Sequence, residues 1–434
     1  AFDFYIDSIP QCATECHPLS WEQAICGDPS NCLIGALRDD TSVGPLHKLQ
    51  KLEKKDLFVF KDTYTQVHYE VYQRVEQFLS AVRSGEREIA FCTATLKDEL
   101  LKAKKVDEEG KGRLFWVVEK ALIIVSNMYF KPITAWLTQN WKYSGFVTSI
   151  NPGGKDWTEL AESLKRAGSK FVDTDFRKYD NSHTFMLEAL TKGLIKLLTK
   201  LGYTRSEALQ AVRVFRLCTQ GIMTIEGFVM LFFTRITSGT ALTMFINNLI
   251  NQVLFRSFLL DEKLLGIVKF FLATCGDDFL LSVAQDVPFT PEDYKTWLVK
   301  FGYTMTAADK ISDRIEWKSL EECTYLKRSF VQEPLTGYWL APLDITSVYK
   351  SMSYCVGMGT IGGEKELRRN QDNFLCMLKE TSLHNFDVFE TFKNLGVKAG
   401  LKTSGKDFAS YREDWVADRL VVWTPAECKD QETL

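Results

Sequence analysis

Apolar side chains recur along this chain with two different periods, and the changes between them outline its elements. Between Tyr64 and Val82, the residues Val67, Val71, Val75, Phe78 and Leu79 fall at helical spacing. Phe171-Val172-Asp173-Thr174-Asp175-Phe176 reads as a short strand, followed by a helix over 185–198. Residues 241–260 are a long helical candidate. Two apolar runs, 267–273 and 279–283, flank Gly276-Asp277-Asp278, which suits a β-hairpin with acidic residues at its tip. A charged, Gly-containing stretch over 97–113 ends in the apolar run 114–118, and Asn151-Pro152-Gly153-Gly154 is a strong turn signal. The first forty residues, rich in Cys, Pro and Gly, read as irregular, and from about Ala341 onward the pattern is mostly helical. Strands and helices mix without the regular alternation of a doubly wound sheet, so the expected class is α+β.

Length and charge narrow the picture further. A chain of 434 residues has room for roughly three domains. With 45% hydrophobic and 25% charged residues, it is neither disordered nor collagen-like. Lys plus Arg number 53 against 56 Asp plus Glu, which excludes a generic polycation and leaves any grip on nucleic acid to local basic surfaces. The uncharged stretch 236–255 is long enough to span a bilayer, but Asn247, Asn248, Asn251 and Gln252 within it argue against that. No secretory leader pattern opens the chain, and its first residue is Ala, so either a cleaved product or an excised piece of a longer chain is expected. Eleven cysteines, an odd number, do not make a disulfide scaffold and suit a reducing cytosol. Cys12, Cys16, His17, Cys26 and Cys32 could supply zinc ligands, but no tight C-x2-C pair is present. Reduced structural thiols are therefore expected in place of a zinc site.

The carboxylates carry the chemistry. Asp277 and Asp278 repel each other at a turn, and a divalent metal compensates well because hard oxygens suit magnesium. A plain solvated turn is the alternative, since Asp and Gly are common there. Asp175-Phe-Arg-Lys-Tyr-Asp180 begins at the end of the short strand, so Asp175 could converge with Asp277 on metals about 3.5–4 Å apart. The alternative makes Asp173 and Asp175 surface residues of an edge strand. In Ser238-Gly239-Thr240-Ala241-Leu242-Thr243-Met244-Phe245-Ile246-Asn247, a flexible Ser-Gly opens a helix on which Thr243 and Asn247 share a face. Taken alone, this segment reads equally as a capped core helix with one buried amide. His17, His47, His68, His183 and His384 form no triad pattern, so nucleophilic catalysis is not supported.

Taken in order, these segments resemble the RNA-dependent RNA polymerases of positive-strand viruses, in particular the picornavirus-like group. Asp175-x4-Asp180 resembles motif A, Ser238-Gly-x3-Thr243-x3-Asn247 motif B, and Gly276-Asp277-Asp278 motif C. Phe301-Gly-Tyr-Thr-Met-Thr-Ala-Ala-Asp-Lys310 resembles motif D, and Tyr325-Leu-Lys-Arg-Ser-Phe330 motif E. Upstream, Lys97-Asp-Glu with Lys105-Val and Gly110-Lys-Gly-Arg113 resembles motif F, and Thr41-Ser-Val-Gly44 motif G. One such element is weak; seven in family order, over roughly residues 41 to 400, are specific. Cys275 stands where a Tyr is commonest, Gly112 and the spacing before Lys111 depart from the usual motif F, and residues 1–40 and the last thirty match nothing in the pattern.

The resemblance implies an α+β fold shaped as a closed right hand, with an RRM-like antiparallel palm sheet. Its divisions would be an N-terminal segment and fingers over 1–170, palm over 171–200, a fingers insertion over 201–236, palm again over 237–340 and a thumb over 341–434. It implies attack of a primer 3′-hydroxyl on a ribonucleoside triphosphate along an RNA template, with Mg2+ (Mn2+ substituting) held by Asp175, Asp277 and Asp278. By the same resemblance Lys310 is a general acid, and Lys97, Lys111 and Arg113 hold the triphosphate. Asp180, Ser238, Thr243 and Asn247 bind the nucleotide, while Ser42, Gly44, Lys105, Lys327 and Arg328 touch RNA. Partners would be template, primer or nascent strand, a protein primer and other viral replication proteins, at membrane-associated replication complexes in the host cytoplasm. A reverse transcriptase, or an inactive polymerase-fold RNA-binding scaffold, is the alternative.

Overall fold

A computed structural model describes residues 1–12, 16–37, 42, 44–46, 57–60, 65–97, 112, 114–233, 235–236, 242–309, 312, 314–334, 336–353 and 363–420. Its centre is a four-stranded sheet in the order Met305–Ala307, Lys170–Phe176, Asp278–Val283, Phe270–Cys275, antiparallel throughout. Strand alternation sends Val172, Phe176, Phe279 and Leu281 to one face, where they join the main core with Phe245, Leu249 and Phe255 of the helix Thr243–Asp261. Phe171, Leu280 and Ala273 go to the other face and pack with Trp157, Leu160 and Leu164 of the helix Lys155–Ala167. Each such buried side chain contributes about 1.5–3 kcal/mol, so the register is strongly specified: a one-residue slip would turn both layers inside out.

A second four-stranded sheet has the order Leu114–Val118, Ala90–Leu96, Gly221–Ile225, Phe228–Phe232. Its two middle strands run parallel and the outer pairs antiparallel. The apolar run at 114–118 is thus a strand, paired with Ala90–Leu96. The last described residues form the helices Ile345–Ser351, Glu364–Thr381, Phe386–Lys398 and Phe408–Leu420, which share a separate core around Val348, Phe374, Phe389 and Tyr411.

Most elements lie where the periodicity puts them, and the departures have local causes. The first forty residues are not wholly irregular: they hold the helices Phe2–Ser8 and Trp21–Cys26. A capping box starts the second, with Ser20 accepting from the Gln23 backbone N–H and the Gln23 side chain accepting in return. The first long helix begins at Tyr69, five residues after Tyr64, with the His68 side chain accepting from the Glu70 N–H. The first strand of the acidic hairpin begins at Phe270, not at 267. Gly266 takes φ +83 there, and Ile267 stands 75% exposed in a turn. Among the described residues no helix is long and apolar enough to cross a membrane.

Candidate active site

Cys275 pairs with Asp278, so only Gly276 and Asp277 turn the acidic hairpin. Gly276 has φ +68, the conformation that the first position of a type II′ turn demands and that side-chain-bearing residues avoid. The ladder between the two inner strands of the sheet runs to Thr174–Phe279, and its next step sets Asp175 across from Asp278. Residues directly opposite in an antiparallel pair share a face with Cβ atoms about 4.5–5.5 Å apart. By this register Asp175, Asp277 and Asp278 lie at the same end of the sheet. Asp175 lies on an interior strand, flanked on both sides, which removes the edge-strand alternative. Asp173, two residues earlier, is spent on structure. It pairs with Lys318 at 2.7 Å and accepts from the Thr324 backbone N–H at 2.8 Å and hydroxyl at 2.9 Å.

The helix Thr243–Asp261 braces the hairpin from behind. Asn248 Oδ1 accepts from the Gly276 N–H at 2.7 Å, and Asn251 Nδ2 donates to the Gly276 carbonyl at 2.9 Å. One turn on, Gln252 Nε2 donates to the Leu272 carbonyl at 3.0 Å, and Arg256 donates to Gln252 Oε1 at 2.7 Å. The far ends of two of these amides, Asn248 Nδ2 and Asn251 Oδ1, are buried without a protein partner. Such atoms are costly, so the brace serves position more than stability. Sequence reasoning counted these amides against a membrane helix and missed this role. The signal was their crowding on an apolar helix, but their partners are backbone atoms of a distant hairpin.

Asp180 sits in a short 3-10 turn, Tyr179–Asn181, and does not cap the helix that follows. Its Oδ1 accepts from Asn247 Nδ2 at 2.8 Å, and Asn247 Oδ1 lies 2.9 Å from His183 Nε2. Thr243 opens the same helix one turn before Asn247. Lys97 is exposed just past the strand Ala90–Leu96. Ser42 Oγ accepts from the Gly44 N–H at 3.3 Å. Lys327 is exposed at a two-residue turn in which Leu326 and Lys327 both take left-handed φ, 53 and 60. Arg328 departs from expectation. Its guanidinium binds both Glu380 oxygens at 2.9 Å and the Ala341 carbonyl at 2.7 Å, so the fork holds the helix Glu364–Thr381 in place of an RNA phosphate. Lys105, Lys111, Arg113, Ser238 and Lys310 lie outside the described residues.

The three carboxylates suit a hard divalent cation, and beside them burial and then Asp278 and Asp277 push the Cys275 thiol up to about 12. Among the described residues no three His, Cys, Asp or Glu side chains are gathered into a group that could hold a metal ion by themselves. Magnesium is commonly held by one or two carboxylates plus substrate phosphates, which matches an open acidic end. At the N-terminal cysteines, Cys12 and Cys16 bring their sulfurs to 4.0 Å, while Cys26 and Cys32 are exposed.

The family model described as viral RNA-dependent RNA polymerase matches residues 11–381. The RNA1 polyprotein of Tomato ringspot virus (isolate raspberry) is 28% identical over 316 residues, 69% of this chain and 14% of the polyprotein. The replicase polyprotein of Drosophila C virus (strain EB) is 25% identical over 364 residues, 77% of this chain and 20% of the polyprotein. The chain thus spans a fifth or less of these relatives. Among solved structures, the Sicinivirus 3Dpol RNA dependent RNA polymerase superposes with a TM-score of 0.76 at 19% identity, covering 97% of this chain and 84% of that one.

Proposed function

This chain belongs to the viral RNA-dependent RNA polymerase family, with that family's right-hand fold, and on that premise we propose how its residues divide the work of copying RNA. The reaction is attack of a 3′-hydroxyl on the α-phosphate of a ribonucleoside triphosphate, with pyrophosphate leaving. The observation that supports this reading is that the register of the inner strands sets Asp175 at the same end of the central sheet as the hairpin tip Asp277-Asp278. Asp175 and Asp277 are the main ligands for divalent metal and Asp278 an auxiliary one. Mg2+ is the natural ion and Mn2+ a substitute. When bound, the metal ions lower the pKa of the attacking hydroxyl and offset charge on the phosphates.

The remaining roles belong to the chain's own side chains. Lys97, Lys111 and Arg113 hold the triphosphate, Arg through a planar fork that fits phosphate oxygens. Lys310 hands a proton to the leaving pyrophosphate oxygen. Asp180 and Asn247, with Ser238 and Thr243, read the ribose: paired by its 2′-hydroxyl, they are left unsatisfied by a deoxyribose. Ser42, Gly44 and Lys105 border the template, and Lys327 meets the primer backbone, while Arg328 fixes the thumb to the palm. In this scheme the fingers are 1–170 and 201–236, the palm 171–200 and 237–340, and the thumb 341–434. A protein primer and other replication proteins, at cytoplasmic membrane-associated complexes, complete it.

Primer extension on an RNA template in Mg2+, with ribo- and deoxyribonucleotides run side by side, tests this. Labelled ribonucleotides should be incorporated, and Asp277→Asn should abolish incorporation while circular dichroism and RNA binding stay as in the parent. Near-parental extension by Asp277→Asn rejects the assignment. Preference for deoxyribonucleotides turns the reading to a reverse transcriptase, and no incorporation of either to a scaffold.

A further inference from the structure

His183 was no more than an unplaced histidine in the sequence, yet it is fully buried beside the residues assigned to the sugar. Its Nδ1 lies 3.0 Å from the Tyr303 hydroxyl and its Nε2 2.9 Å from Asn247 Oδ1. The Tyr179 ring stands nearly perpendicular to the imidazole, with centroids 4.4 Å apart. Asn247 in turn donates from Nδ2 to Asp180 at 2.8 Å.

The chemistry of these atoms fixes a direction. The two ends of an asparagine amide are alike in shape and opposite in hydrogen-bonding sense. An ionised carboxylate only accepts, so the amide must turn Nδ2 to Asp180 and Oδ1 to His183. Oδ1 then needs a donor, so the imidazole must carry its proton on Nε2. Nδ1 is left as an acceptor, and the Tyr303 hydroxyl fills it. Burial keeps the ring neutral, drawing its pKa down to about 4 against the opposing hydrogen bond to Asn247, and a neutral ring has the one lone pair this row requires. Every donor then points one way: Tyr303 to His183, His183 to Asn247, Asn247 to Asp180. The other tautomer would set a lone pair against Asn247 Oδ1, leaving the amide free to turn.

We infer that His183 is a positioning residue for ribose choice, locking the Asn247 amide with its NH2 toward Asp180 and the incoming sugar. The inference rests on the reading of Asp180 and Asn247 as the ribose contacts. Its substrate class is the ribonucleoside triphosphate. A histidine that merely fills the core would influence folding and overall rate without changing the choice between sugars.

The test is the ratio of kcat/KM for a ribonucleotide to that for the deoxyribonucleotide of the same base. It is measured in single-nucleotide extension by the full chain and by His183→Phe, His183→Gln, Tyr303→Phe and Asn247→Ala. His183→Phe keeps volume and removes the donor, and its ratio should fall on the order of tenfold, the usual scale for one lost buried hydrogen bond. His183→Gln retains an N–H and should hold the ratio within about threefold of the parent. Tyr303→Phe removes one oxygen and should lower the ratio less than His183→Phe does. His183→Phe combined with Asn247→Ala should fall no lower than Asn247→Ala alone, because the two act on one contact. A parental ratio in His183→Phe beside a lowered ratio in Asn247→Ala overturns the inference and leaves the sugar reading standing. An unchanged ratio in Asn247→Ala overturns both. Should His183→Phe not fold, Tyr303→Phe decides alone: an unchanged ratio there overturns the inference.

Discussion

Two hairpins in this molecule have turns of the same length and opposite surroundings. Phe270–Val283 turns on Gly276-Asp277, and Gly221–Phe232 turns on Glu226-Gly227, each with two residues between its closing pair. In both, left-handed backbone makes the tight reversal: φ +68 at Gly276, and 45 and 86 at Glu226 and Gly227. Behind the first lie helices on both faces, with Leu272, Leu280 and Leu281 buried, and two Asn side chains grip the turn itself. The second ends on the edge strand of the second sheet, and Phe228 and Leu231 stand 72% and 64% exposed. A two-residue turn sets register in either place. It does not by itself hold a charge to the fraction of an ångström that phosphoryl transfer needs. The cross-bracing amides set the first hairpin apart from the second independently of its aspartates.

The comparison is sharpest in stability. Leu281→Ala empties a position packed by the helix behind it and should cost about 2–5 kcal/mol. Leu231→Ala, the same change on the exposed hairpin, should stay within about 0.5 kcal/mol. Urea midpoints of the two variants check this, and equal shifts would mean that the edge strand is covered in solution. The next effect is kinetic. Asn251→Leu removes the donor to the Gly276 carbonyl and keeps the volume, so kcat should fall on the order of 10²-fold while KM for the nucleotide moves little. Phe228→Thr should leave kcat at the parental value. Full activity in Asn251→Leu would show that the turn holds its aspartates without the brace.

The same contrast explains what the sequence revealed. Alternation and turn residues are local, so Lys170–Phe176, the acidic hairpin and the long helix Thr243–Asp261 were legible to within a few residues. Seven motifs in order carried the fold because they are specific together, where Gly276-Asp277-Asp278 alone is not. What escaped depends on contacts made across the chain. Asp173 and Asp175 look alike in sequence, and only the arrival of Lys318 and Thr324 assigns Asp173 to structure. Arg328 looks like a phosphate ligand until Glu380, fifty-two residues on, occupies its fork. Asn248, Asn251 and Gln252 read as polar blemishes on an apolar helix because their partners are backbone atoms, which no side-chain pattern announces. The helix Trp21–Cys26 was legible after all in Ser20-x-x-Gln23, but the Cys, Pro and Gly around it masked the signal.

The smallest effect is one of pH, and it separates the core behind the acidic hairpin from the rest of the molecule. His183 is neutral in the folded chain, its pKa drawn from an ordinary 6.5 to about 4 by burial. Unfolding restores the ordinary value, so between those two pH values the unfolded chain binds more protons than the folded one. The stability His183 contributes is therefore complete above pH 6.5 and is lost as pH falls through 4. At pH 5 the loss should be about 2 kcal/mol, from a shift of roughly two and a half units at 1.36 kcal/mol each that is only partly expressed there. The titratable rings facing His183, Tyr179 and Tyr303, are pushed above the ordinary tyrosine value and stay uncharged over this range. Urea unfolding of the parent and of His183→Gln at pH 7.5 and pH 5 isolates the contribution, since every other group titrates in both. The parent should lose more stability than the variant by that amount. An identical loss in the two would mean that the imidazole meets water before the chain unfolds, and that the row from Tyr303 to Asp180 is not sealed.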